Sequence, residues 1–132
     1  MHKRVYVWNG YWTTQDVRAH PKWLFVFGDN DIGQGKGGQA IIRGERNAIG
    51  VPTKKYPDNR DSSFYSDKEL EKNKDKIRAA VNKIYNVMRY YDALILPEKG
   101  LGTGLSDLPR RAPKTYEYLK FKIDQLVEEL QK

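Results

Sequence analysis

Cysteine is absent from this 132-residue sequence, and histidine occurs only twice, as His2 and His20. The first absence excludes disulfides, a thiolate nucleophile and any cysteine-ligated zinc. The second leaves a histidine metal centre or a Ser/His/Asp triad dependent on His20, which precedes Pro21 in a loop context. No metal site and no cofactor are therefore expected. Long apolar runs are also missing: none approaches the roughly 18 to 20 residues of a spanning helix, and the opening MHKRVYVWNGYW has no signal-peptide core. The reading is a cytoplasmic protein with no membrane partner, short enough for one domain over 1–132.

What the chain does have is positive charge, +7 net with a pI near 9.5. Such a balance suits an anionic ligand: a nucleotide, a nucleic acid or an acidic surface. Much of the lysine lies in KELEKNKDKIRAAVNK, interleaved with acids at helical spacing, which describes a solvated helix face. The basic groups beside glycine and proline loops are Lys36, Lys54, Lys55, Arg110 and Arg111.

The patterning alternates between strand and helix. VYVW (5–8) and WLFVF (23–27) read as strands, the second apolar throughout, as in a strand buried on both faces of a parallel sheet. QAIIR (39–43) reads as a short helix opening among Gly37 and Gly38 and stopping at Gly44. NAIGVPT (47–53) reads as a strand ending near Pro52. Residues 54–66 read as a surface loop. From Asp67, capped by itself or by Ser66, apolar residues recur at Leu70, Ile77, Val81, Ile84, Met88 and Tyr91, a helical stripe. DALILP (92–97) is a further strand, and Tyr116, Leu119, Ile123, Leu126 and Leu130 mark a last helix with Pro113 in its first turn. The order predicts an α/β sandwich with a mixed, largely parallel sheet flanked by helices.

Two of these strands run straight into glycine-rich loops. GDNDIGQGKGGQA (28–40) follows WLFVF, and EKGLGTGLSD (98–107) follows ALILP. In open α/β sheets ligands sit beyond the carboxyl ends of strands, and glycine backbone can approach phosphate oxygens and aim successive N–H donors at them. Two such loops on neighbouring strands would suit a diphosphate. Standard signatures do not fit: Gly33 to Gly38 has the first Walker spacing but continues Gln39-Ala40, and Gly33, Gly35 and Gly38 match the dinucleotide fingerprint only loosely. The alternative is that these glycines serve only sharp bends.

The strand, the asparagine-bearing turn, the glycine loop and the later LPEKGLGTGL together resemble the macrodomain family, whose members bind ADP-ribose and in several cases hydrolyse it from proteins or nucleic acids. The resemblance implies ligand contacts from Gly28, Asp29, Asn30, Gly35, Lys36, Gly37, Gly38, Gln39 and Thr53 on one side. On the other it implies Gly100, Leu101, Gly102, Thr103, Gly104 and Leu105. It is closest to the branch with a catalytic lysine and aspartate, and VPTKK then puts Lys54 in the lysine's place and Asp107 in the aspartate's. Compact macro-like proteins also occur in bacteriophages, so a viral source is an expectation. A nucleophilic lysine must be neutral, which requires burial or neighbouring positive charge, and Lys55 supplies such a charge. Solvated lysines that only neutralise phosphate are the plainer reading of both.

Trp8, Tyr11 and Trp12 offer rings for a base, or simply close a small core. Three functions follow: an ADP-ribosyl hydrolase acting on a modified protein or nucleic acid, a non-catalytic binder of ADP-ribose or a cyclic nucleotide signal, and a nucleic-acid-binding protein.

Overall fold

The computed structural model describes residues 1–132. Four strands form one sheet: β1 (Arg4–Trp8), β2 (Trp23–Asn30), β3 (Ala48–Lys54) and β4 (Ala93–Pro97), in the order β1-β4-β2-β3. Every ladder is parallel, so the sheet is not mixed. Parallel neighbours need crossovers that leave helices on the faces, and the unbroken apolar strands reflect that double covering.

One face carries α2 (Leu70–Val87) and α4 (Pro113–Gln131), preceded by a single turn, α3 (Leu108–Arg111). Their stripes, including Ile77, Ile84, Leu119, Leu126 and Leu130, close on Leu24, Val26, Val51 and Leu94. The other face has only the short α1 (Thr14–Arg18) and a 3₁₀ turn at Gly38–Ile42, where Trp12, Val17 and Ile42 cover Phe25, Phe27 and Ile95. The architecture is a three-layer α/β sandwich with a thin second layer.

Several local expectations change. The sequence reading contained no α1, yet Thr13 and Asp16 form a reciprocal capping box that starts it. The helix expected over 39–43 is a 3₁₀ turn, since the five residues from Gly38 to Ile42 leave no room for an α-turn ladder to propagate. β3 continues past Pro52 to Lys54, which an edge strand tolerates because a missing N–H need not break the sheet. Ser66 caps the turn that leads into α2, while Asp67 accepts from the backbone N–H groups of Lys114 and Thr115 at the start of α4. Burial works to raise the Asp67 carboxyl, but these bonds outweigh it and hold it below the ordinary carboxylate range.

The stretch 54–66 is not simply a surface loop. Ser63, Phe64 and Tyr65 are buried, and Phe64 pairs with Lys54 as an antiparallel bridge. Tyr65 donates to Asp31 at 2.5 Å, and burial, then that bond, pushes its phenol far above the usual range. Asn47, also buried, sets its Nδ2 at 2.9 Å from the carbonyl oxygens of Val17, His20 and Trp23, and so anchors α1 to the start of β2.

Candidate functional site

β2 and β4 are neighbours in the sheet, so the two glycine loops that follow them emerge side by side. Between them opens a cleft of about 590 Å³, a size that suits a nucleotide. Gly28 at the end of β2 lines its base, Gly37, Gly38 and Gln39 line one wall, and Gly102 through Ser106 line the other. The mouth is completed by Gly10, Tyr11 and Trp12 after β1, and by Pro97, Glu98 and Lys99 after β4.

Gln39 holds the two loops in register. Its side-chain oxygen accepts from Gly28 N–H at 2.8 Å and its amide donates to Gly100 O at 2.9 Å. Its carbonyl accepts from the indole N–H of Trp12 at 2.9 Å. One residue therefore binds β2, the second loop and the N-terminal segment together. Gly28 N–H is consumed by this arrangement, and Gly28 contributes close approach only.

The second loop carries the donors. The backbone N–H groups of Gly102, Thr103, Gly104, Leu105 and Ser106 have no acceptor within the chain, whereas Asp107 N–H bonds Gly104 O and Leu108 N–H bonds Gly102 O. Gly102 is buried while Thr103 to Ser106 are partly or fully exposed, so this consecutive run beside the cleft is left to solvent and is a set of donors available to an anion. Gly102 stands at φ +80°, a left-handed conformation that lets the loop fold back onto α3. Across the cleft, Leu105 lies against Gly37 and Gly38, where side chains would meet its Cδ1 at 3.3 and 3.4 Å.

The other expected site residues lie behind these walls. Asp29 pairs with Arg43 at 2.5 Å, and Arg43 also donates to Gly35 O at 2.7 Å, strapping the first loop to β2. Asn30 spends its side chain on the Gln34 backbone, donating at 2.7 Å and accepting at 3.3 Å. Lys36 is exposed beside the wall. Thr53 is buried, sharing its hydroxyl between Asp29 O and the Ser106 hydroxyl at 2.6 Å. Leu101 points into the main core.

Lys54 and Asp107 are not brought into contact by any hydrogen bond or ion pair. Asp107, itself left-handed at φ 48°, caps α3 and pairs with Arg110 at 2.5 Å and Arg111 at 3.4 Å. Lys54 is 5 % exposed, has no acidic partner within salt-bridge distance, and sets its ammonium 4.4 Å from the Phe64 ring centre. Arg111 stands over that same ring at 3.6 Å. Burial holds the Lys54 amine below the ordinary lysine range; Asp58 opposes this and Arg111 reinforces it. Lys55, expected to supply that charge, is instead neutralised by Glu69.

The site residues that sequence reasoning missed are Arg43, Glu98 and Ser106, and it did not foresee the bond from Trp12 to Gln39. Glu98 accepts from Gly10 N–H at 2.8 Å and has no cationic partner. The signal for it was present, since it directly follows the strand end in LPEK. Trp12 is buried as core, whereas Tyr11 is 93 % exposed at the mouth. No group of three or more His, Cys, Asp or Glu side chains is arranged to hold a metal ion, and no helix is long and apolar enough to cross a membrane.

Residues 7–122 match the model of a family described as "Family of unknown function (DUF7831)". No curated protein and no solved structure matches the chain.

Proposed function

The chain belongs to that family of unknown function, and from the cleft we propose that it binds ADP-ribose or a closely related ADP-ribosyl nucleotide across its two glycine-rich loops. The observation that carries this reading is the unpaired run of N–H groups from Gly102 to Ser106, set across a nucleotide-sized cleft from Gly37 and Gly38. Successive backbone donors complement a diphosphate without needing a lysine in the wall.

The cleft is chemically divided. Glu98 brings a carboxylate and the adjacent Lys99 an offsetting cation to the mouth, so the diphosphate is assigned to the backbone donors at the Gly102 end and the base to the exposed ring of Tyr11. Tyr11 offers an exposed ring to the base, and stacking on one aromatic contributes about 1–3 kcal/mol. Tyr11→Ala is therefore expected to weaken ADP-ribose by about tenfold or more, with the melting temperature unchanged because Tyr11 is not part of either core. Equal affinity in the variant would remove the base from this end.

Calorimetric titration with ADP-ribose, run beside AMP and NAD, tests the whole reading. Binding of ADP-ribose in preference to AMP supports it, because AMP cannot occupy both loops. No heat with any of the three defeats it.

A second reading, removal of ADP-ribose from a modified protein or nucleic acid, draws on one further observation. Lys54 is a buried amine with no acid to hold its proton, the condition under which a lysine becomes nucleophilic. It does not line the cleft but sits next in sequence to Thr53, whose hydroxyl touches the cleft residue Ser106, so this reading requires the amine to move past that contact to reach the ligand. Asp107 would act as the partner acid or base once freed from its arginines.

A further inference from the structure

β1 is an edge strand; the end of α4 closes its approach, where Lys3 N–H bonds Leu130 O at 2.7 Å, and from Val5 onward its outer side is open. Arg4 N–H bonds Asp92 O and Trp8 O accepts from Glu98 N–H, so the even-numbered residues turn their backbone groups toward β4. Strand alternation then directs the N–H and C=O groups of Val5 and Val7 outward. The opposite edge is guarded: β3 contains Pro52, and the chain at Ser63 and Phe64 folds back on Lys54, Lys55 and Tyr56. β1 has none of the usual guards of an edge strand, neither proline nor bulge, and Arg4 is its only charge. It is also apolar where exposed, with Val7 58 % and Tyr6 39 % accessible.

We propose that β1 is a self-association surface, pairing antiparallel with β1 of a second copy about a two-fold axis at Tyr6. The pattern of the strand selects this partner. With the axis at Tyr6, Val5 faces Val7 of the second copy and the two exchange both backbone bonds, twice by symmetry, so all four outward pairs of groups are satisfied. Arg4 falls opposite the indole of Trp8, a cation over an aromatic ring, and never opposite another Arg4. A parallel pairing in register would set arginine against arginine with the outward groups of Val5 and Val7 out of step, and the one-residue shift that pairs them would not close on itself. The net charge of +7 on each copy opposes association only weakly, since charges farther apart than about 8 Å are screened at physiological salt. The joined sheet has eight strands. Because the two copies of β1 run in opposite directions, their clefts open at opposite ends of the sheet, and Gly10 and Tyr11 remain accessible.

Sedimentation equilibrium of the full chain over a concentration series tests this. The expected result is a reversible dimer in the micromolar range. Val7→Lys is expected to raise its dissociation constant by at least about tenfold, by placing a charge at the edge. Val7→Pro is expected to do the same by removing an outward N–H that β4 does not use. Both variants should keep the circular dichroism of the wild type. A wild type that stays monomeric up to its solubility limit overturns the proposal, as does a dimer that either folded variant leaves unchanged. Because the wild-type series needs no variant, a variant that fails to fold does not rescue the idea.

Discussion

Gly102→Ala is expected to abolish measurable ADP-ribose binding and to cost the fold about 2–5 kcal/mol. Two independent effects combine. At φ +80° an alanine meets the left-handed penalty of about 1–2 kcal/mol. Its Cβ would also stand 2.9 Å from Leu108 Cδ2 and 3.1 Å from Leu108 Cβ, and Leu108 is fully buried, so the loop rather than the leucine must move. Such overpacking costs about 1–3 kcal/mol. For a chain of this length the sum lowers the melting temperature by roughly 7–18 °C. The displaced segment lines the cleft and carries the unpaired N–H groups, so binding is lost with stability. Gly104→Ala is the control: nothing lies within 4 Å of its added Cβ, and its melting temperature should match the wild type. Thermal denaturation and titration of both variants check the pair, and a Gly102→Ala protein that binds normally would remove the second loop from the site.

Lys54→Met is expected to separate binding from turnover. Lys54 does not line the cleft, so ADP-ribose affinity should stay within about threefold, the scatter expected of a substitution outside the contact surface. Release of ADP-ribose from a modified macromolecule should fall by about a hundredfold or more, the contribution of a group that transfers protons or attacks in the reaction. Unchanged turnover would sink the lysine mechanism and leave the binder. The same variant reports on stability. The Lys54 pKa in the fold lies below its ordinary value of 10.5, so between the two values the unfolded chain binds more protons than the folded one. Stability must then rise with pH across that window. Below it, the fold carries the full cost of a buried ammonium without an acidic partner. Methionine, of similar length and apolar, removes that cost, so the variant should melt several degrees higher at neutral pH. The difference should shrink as pH approaches 10.5. Melting curves of both proteins from neutral to alkaline pH give the answer.

Much of the fold was legible because periodicity is a local property. The stripe from Ile77 to Met88 and that from Leu119 to Leu130 both became core, with Leu70 left half-buried outside it, and the apolar strands WLFVF and ALILP became adjacent inner strands of a parallel sheet. Less of the site was legible. Asp29 and Asn30 look like ligand groups by composition, yet Arg43 takes the first and the Gln34 backbone takes the second. Both partners lie on the far side of a turn, and no spacing rule connects them. Ser63, Phe64 and Tyr65 were hidden in a stretch rich in charge and serine, and they are buried because Phe64 pairs with Lys54 and Tyr65 reaches Asp31.

The sequence by itself determined the class of the molecule: no thiol chemistry, no expected metal, an α/β order, and two glycine loops placed after two buried strands. These are properties of residue type and period, which survive without coordinates. Only the tertiary structure decided which groups in those loops are free to act. Gln39 consumes the Gly28 donor, while the N–H groups from Gly102 to Ser106 remain unpaired. It also decided that Lys54 is a buried amine without an acidic partner and that β1, not β3, is the open edge of the sheet. The reason is the same in each case. Whether a polar group is satisfied depends on partners brought close by the packing of distant segments, and a linear pattern does not record that distance.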